Sequence, residues 1–345
     1  MNIINLLKEI MSNPKWCCKV RPISNAPGAV TVLMALISLL LYLFFGIQQC
    51  NVPEFKKGKQ GEPQSYEVAY PHKYRVILDQ PDKCHHNPFL VIIVPVAPND
   101  VMERNAVRNT WGYEKLVQEK HVVVLFLLGL PTGSNAAIQQ ARIHQENVRH
   151  KDLIQIDFID INNATVKTMV MLEWLRDHCQ QAYYAAKVDP DILFNVRGLI
   201  SMLLGPNIPL RNYLTGQVFH NNNSLKNPSS RFYIPPEVYH KSVFPPFALG
   251  KCFIMSMDMP AKILRASKEV KPIIKDDLYI GLCLEHLDIV PVNPPNPSQF
   301  VFIPPELYDR CYYSNLIAVI LYTPAQLVNL WTDIHKPGPA CSSYD

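Results

Sequence analysis

Residues 182–196 read AYYAAKVDPDILFNV, an apolar, strand-like run that stops at two aspartates held on either side of a proline. A buried strand end seldom tolerates an unpaired carboxylate, because a charge taken out of water must find a partner. Either Asp189 and Asp191 face water in a turn, or something positive stands in front of them. The residue before a proline is pushed toward extended backbone, so Asp189 should prolong the strand. Side chains two apart on an extended chain point to one side. Two carboxylates on one side make a hard, oxygen-only site suited to Mg²⁺ or Mn²⁺, and such a cation would in turn bind a diphosphate.

Working outward, three more apolar runs precede this one: FLVIIVPVA at 89–97, HVVVLFLLG at 121–129 and LIQIDF at 153–158. The first is continuous and rich in β-branched residues, as strands buried on both faces are, and the other two read as further strands. Helical periodicity separates them at 134–149 and at 164–181. In the second of these, Met169, Leu172, Leu175 and Cys179 recur at three and four, and Asn163 is a candidate N-cap. Strands alternating with helices predict an α/β fold with a mostly parallel central sheet. Ligands in such sheets bind beyond the carboxyl ends of the strands. Asp189 and Asp191 sit at one of those ends.

Two other stretches could join them. ERNAVRNTWG, 103–112, follows the first strand and places Arg104 and Arg108 four apart on one helical face, near a strand end that favours anions. Its plainer reading is a solvated basic face, with Trp111 in the core. IIKDDLYIGL, 273–282, sets Asp276 and Asp277 before an apolar run. Acidic residues also favour the first turn of any helix.

The N-terminal sequence speaks to compartment. Residues 29–47, AVTVLMALISLLLYLFFGI, give nineteen positions without a charge, close to the ~20 that span a bilayer. Lys8, Lys15, Lys19 and Arg21 precede them and favour a cytosolic N-terminus. A cleaved signal peptide fits less well, because the segment before the apolar core is long and the core exceeds the usual h-region. The expected organisation is a cytosolic tail at 1–28, a membrane-spanning signal anchor at 29–47, a lumenal stem at 48–80 and a folded domain at 81–345.

Lumenal placement agrees with sequons at Asn163 and Asn222. Of nine cysteines, six (Cys84, Cys179, Cys252, Cys283, Cys311, Cys341) could form three disulfides, in any of fifteen pairings. No CxxC spacing occurs, which argues against zinc. A net charge of +4 is too mild to indicate a nucleic-acid partner. Thirty prolines against thirteen glycines indicate rigid loops, concentrated in the second half.

Several blocks taken in order carry a resemblance: PDKCHHNPFLVIIVPVAPNDVMERNAVRNTWG at 81–112, FLLG at 126–129, DLIQIDFIDINNATVKTMVMLEWL at 152–175, KVDPDILFN at 187–195, FPPFALGKCFIMS at 244–256 and KDDLYIGLCL at 275–284. Together they make the chain resemble the β-1,3-galactosyltransferase and β-1,3-N-acetylglucosaminyltransferase family of Golgi enzymes, with the first block most similar to the galactosyltransferase branch. The resemblance implies a GT-A fold, a UDP-sugar donor, Mn²⁺, an oligosaccharide acceptor on a glycoprotein or glycolipid, and inversion at the anomeric carbon. It implies that Asp189 and Asp191 hold the metal, that Lys187, Asp189, Arg104, Arg108 and Trp111 lie at the nucleotide, and that Asp277, with Asp276 beside it, supplies the base.

The chain also departs from the family. Pro190 is unusual between the two aspartates, Ala248 stands where galactosyltransferases often have cysteine, and Lys251 and Cys252 occupy a small, glycine-containing turn. A cysteine there could crowd the sugar or restrict the backbone. Three functions follow as expectations: galactose transfer from UDP-galactose to a GlcNAc-terminated glycan, GlcNAc transfer from UDP-GlcNAc, or a weakly active membrane protein that binds glycans or partner transferases. Association with itself or with other glycosyltransferases stays open.

Overall fold

The computed structural model describes residues 70, 74–113, 115–159, 164–220, 227–228 and 233–341. The expected cytosolic tail at 1–28, the membrane helix expected at 29–47, most of the expected stem and both sequon asparagines, Asn163 and Asn222, lie outside these residues. Among the described residues no helix is long and apolar enough to cross a membrane.

The first half builds the centre of the sheet. Strand β1 is Val76–Leu78, β2 is Leu90–Pro95, β3 is Leu116–Val117, β4 is Lys120–Leu130, β5 is Leu153–Ile159 and β6 is Tyr184–Val188. Helix α1 (Val101–Arg108) follows β2, α2 (Ala136–His150) follows β4, and α3 (Ala164–His178) follows β5. All four strands expected from the apolar runs are present. Strands β2 and β6 are buried at every position, which is why their sequence shows no polar alternation.

Beyond β6 come β7 (Ile192–Phe194), α4 (Val196–Leu203), β8 (Leu214–Phe219), β9 (Phe247–Ser256), α5 (Met259–Ala266) and α6 (Asp276–His286). The described chain closes with β10 (Phe300–Val301), α7 (Arg310–Ser314), β11 (Ala318–Ile320) and α8 (Pro324–Ile334). The main sheet runs β1-β5-β4-β2-β6-β9-β8, with β3 beside β4, and a second sheet runs β10-β11-β7.

The expectation of a mostly parallel sheet needs correction. The pairings β4–β5, β2–β4 and β2–β6 are parallel. Those of β1–β5, β3–β4, β6–β9 and β8–β9 are antiparallel. The sheet is therefore mixed, with a parallel centre and antiparallel flanks. Successive β2 residues serve opposite faces: Val91 and Ile93 join the core beneath α3, α5 and α6, whereas Leu90, Ile92 and Val94 join the core beneath α1, α4 and α8.

The cysteines pair as Cys84–Cys179 and Cys311–Cys341, while Cys252 and Cys283 are buried free thiols. The expected third disulfide is absent from the described residues. Cys252 lies on β9 and Cys283 on α6, each enclosed within its own packing layer.

Candidate active site

Three segments converge on one cleft of about 720 Å³, lined in part by Lys187, Asp189, Asp191, Gly250, Lys251, Asp276 and Asp277. That volume suits a ligand of nucleotide-sugar size. The turn after β6 supplies the two aspartates, the middle of β9 supplies Gly250 and Lys251, and the first turn of α6 supplies Asp276 and Asp277.

The Asp-Pro-Asp segment is a turn rather than a prolonged strand. Asp189 keeps one ladder bond, its amide donating to the Lys251 carbonyl at 2.9 Å, and the Ile192 amide then donates back to the Asp189 carbonyl at 3.2 Å. Pro190 occupies the second position of this turn, where a fixed φ is an advantage. The expectation that extension aligns the two carboxylates is therefore corrected: a tight turn brings them to a common partner.

That partner is an ammonium. Lys251 Nζ lies 2.7 Å from Asp191 Oδ2 and 3.2 Å from Asp189 Oδ2. A second ammonium, Lys187 Nζ, lies 3.1 Å from Asp189 Oδ1 and 3.4 Å from Asp276 Oδ2, and also donates to the Gly250 carbonyl. Burial alone would lower both lysine pKa values, but the carboxylates outweigh it and hold both above the ordinary value. For Asp191 the balance differs: burial outweighs the Lys251 charge and pushes its pKa up.

Gly250 is required by space. A Cβ there would stand 2.9 Å from Asp276 Oδ1, too close for any other residue without movement. Cys252, one residue on from Lys251, is wholly buried in the core. It does not face the cleft, so the expected crowding of a sugar does not arise from it. Lys251 is the β9 side chain that reaches the cleft aspartates.

Asp276 and Asp277 divide in role. Asp276 is buried, accepts from Thr168 Oγ1 at 2.7 Å and faces Lys187. Burial would raise its pKa, yet Lys187 and the Thr168 hydrogen bond outweigh that and hold it low. Asp277 has no described ion pair. Its Oδ1 accepts from the Leu278 amide at 2.9 Å, and the Gly250 amide approaches Oδ2 at 3.5 Å. Burial, and then the charge of Asp276, push its pKa up to about 6. A cleft carboxylate tuned toward neutrality is what general-base work needs.

The arginine–tryptophan block is placed elsewhere. Arg104 is wholly buried, its Nε and Nη2 forked onto Glu146 at 2.7 and 2.6 Å, with further donation to the Ala97 and Pro98 carbonyls. Arg108 binds Glu146 and Asp152 and lies over the Phe126 ring. The Trp111 indole N–H donates to the Ile192 carbonyl at 2.9 Å, and its ring packs edge-on against Phe194. None of the three lines the cleft. In this structure the arginines tie α1 to α2, and Trp111 fixes the strand that leaves the aspartate turn.

Sequence reasoning missed Thr168 and the part taken by Lys251. Thr168 was legible as a buried polar position on the apolar face of α3, and Lys251 as a charge inside an otherwise apolar run. The Mn²⁺ implied by the resemblance would need Asp189 and Asp191. Lys251 stands between these two carboxylates, its ammonium in contact with an oxygen of each. The donor set as built does not fit a resident divalent ion.

Residues 102–295 match the family model described as Galactosyltransferase. The chain is 34% identical to human beta-1,3-galactosyltransferase 2, over 80% of this chain and 64% of that protein. It is 33% identical to mouse beta-1,3-galactosyltransferase 1, over 76% of this chain and 79% of that protein. The chain thus spans about two thirds of the length of the first of these relatives. Among solved structures, a galactosyltransferase LgtC complex with donor and acceptor sugar analogs aligns over 72% of this chain and 97% of its own, at 12% identity and a TM-score of 0.37.

Proposed function

Given that the chain belongs to the galactosyltransferase family, we propose that it is an inverting β-1,3-galactosyltransferase of GT-A type that moves galactose from UDP-galactose to a GlcNAc-terminated glycan. The relatives bear the name beta-1,3-galactosyltransferase. The observation that carries the reading is Asp277, a carboxylate with raised pKa and no described ion pair, lining the same cleft as the lysine–aspartate cluster. One charged group is thereby available to take a proton while the cluster meets a diphosphate.

The chemistry is a single displacement. The acceptor hydroxyl gives its proton to Asp277 as its oxygen attacks the anomeric carbon. The bond from that carbon to the β-phosphate oxygen breaks on the opposite face, and its electron pair leaves with UDP. Asp276 holds Lys187 and, by its charge, keeps Asp277 basic enough to act. Mn²⁺ has no step in this reading, because Lys251 occupies the carboxylates that would hold it. We place the protein in the Golgi membrane as a single-pass type II chain, with 29–47 as its anchor.

The test is incubation of the full-length protein with a panel of UDP-sugars and glycan acceptors. Consumption of UDP-galactose with a β-1,3-linked product on GlcNAc is expected. Consumption of UDP-GlcNAc on a galactose acceptor would overturn the donor, and transfer from no donor would leave a binding protein.

A further inference from the structure

Lys251 is out of keeping with a metal-binding aspartate pair. It is no loop residue that happens to lean inward. It lies on β9 directly opposite Asp189, whose amide donates to the Lys251 carbonyl at 2.9 Å. The pairing next to it, Val188 with Cys252, belongs to the regular β6–β9 ladder. Strand register therefore aims the side chain at the aspartate turn, and a one-residue slip would turn it into the core.

Its ammonium lies 2.7 Å from Asp191 Oδ2 and 3.2 Å from Asp189 Oδ2. A divalent ion bound through the same two oxygens would sit roughly 2.1 Å from each. It would then be in contact with the ammonium, and like charges at that range repel strongly in a partly buried site. Lysine and metal compete for one place.

An ammonium has three donors and no acceptor. Two are directed at the carboxylates, and the third has room to reach outward, because the side chain keeps 38% of its surface exposed on the cleft. Lys187 supports it from behind: only 6% exposed, it neutralises the other oxygen of Asp189 and the carboxylate of Asp276. The two ammoniums leave one negative charge among Asp189, Asp191 and Asp276, so the cluster is nearly balanced without any added ion.

We infer that Lys251 is the built-in cation of this site, standing where the resemblance implies a metal, so that the diphosphate is bound by its ammonium and binding is independent of divalent ions. The inference rests on the proposed use of a UDP-sugar. During transfer, the anomeric carbon's bond to the β-phosphate oxygen breaks and the electron pair stays on that oxygen. The Lys251 ammonium donates a hydrogen bond to the diphosphate as that charge grows. Asp189 and Asp191 thereby hold a lysine in place instead of holding a metal.

The experiment measures UDP affinity by calorimetry on the full-length protein in detergent, in EDTA and in Mn²⁺. The wild type should bind UDP equally, within about threefold, in both. Lys251→Ala removes the cation and frees its carboxylates, so affinity in EDTA should fall at least about tenfold and recover when Mn²⁺ is added. Lys251→Arg should keep binding that resists EDTA. Wild-type binding that vanishes in EDTA and returns with Mn²⁺ would overturn the inference while leaving the UDP-sugar reading intact. UDP that binds in neither condition would overturn both. If Lys251→Ala does not fold, the wild-type comparison decides alone.

Discussion

At the scale of single residues, adjacent carboxylates have been driven apart by their surroundings. Asp276 faces Lys187 and Thr168, and Asp277 faces the cleft with only amide donors. The base must be ionised to act, so kcat/KM, which reports the free enzyme, should rise through about pH 6 and level off above it. Asp277→Asn keeps the shape but removes the proton acceptor, and should cost at least ~10²-fold in kcat while UDP affinity survives. Asp276→Asn removes a negative neighbour, which by sign lowers the Asp277 pKa and moves the acid limb to lower pH. A rate that is flat through the mildly acidic range, or an acid limb that Asp276→Asn leaves in place, would mean the base is another group. Sequence reasoning found this pair because acidic residues before an apolar run are conspicuous. It could not assign the division of labour, which depends on Thr168, 108 positions away.

At the scale of elements, the helix carrying Arg104 and Arg108 is where sequence and structure part. Their spacing of four does place both on one face of α1, and that face meets Glu146 of α2. Charge at helical spacing reports a face and cannot report what covers it. Breaking a buried, forked ion pair costs about 3–5 kcal/mol, since the remaining partner loses its compensation. Arg104→Ala should therefore lower the melting temperature sharply while UDP affinity in the folded fraction stays within about twofold. A variant of normal stability that binds UDP poorly would restore the nucleotide role. Acid should reach the same clamp. Burial would raise the Glu146 pKa, but Arg104 and Arg108 outweigh it and hold the carboxyl below its ordinary 4.5. The stability it lends is present above that value and is lost as pH falls through the lower, folded one. Strand β9 is hard to read from sequence for the opposite reason: Gly250 and Lys251 interrupt its apolar run because they serve the cleft.

At the scale of the whole molecule, the strand–helix alternation of the first half was legible, since strands buried on both faces must be continuously apolar. The antiparallel flanks were not, because they depend on pairings between segments far apart in sequence. The cysteines tie these scales to compartment. Cys84–Cys179 closes a loop of 95 residues and Cys311–Cys341 one of 30. Cross-links over loops of this kind typically stabilise by ~2–4 kcal/mol, chiefly by restricting the unfolded chain, and they persist only where the surroundings are oxidising. A chain that folds beyond a membrane anchor, as proposed, would meet such surroundings. The full-length protein, denatured without reductant and treated with an alkylating agent, should therefore show modification at Cys252 and Cys283 by peptide mapping. Cys84, Cys179, Cys311 and Cys341 should become reactive only after reduction. Treatment with an N-glycosidase should also lower the apparent mass through Asn163 or Asn222. Alkylation of all six residues without reductant, together with an unchanged mass, would place the folded domain on the reducing side of the membrane and sink the lumenal assignment. A third linkage between Cys252 and Cys283 would instead mean that β9 and α6 approach more closely than their packing here allows, and would require the wall of the cleft to be redrawn.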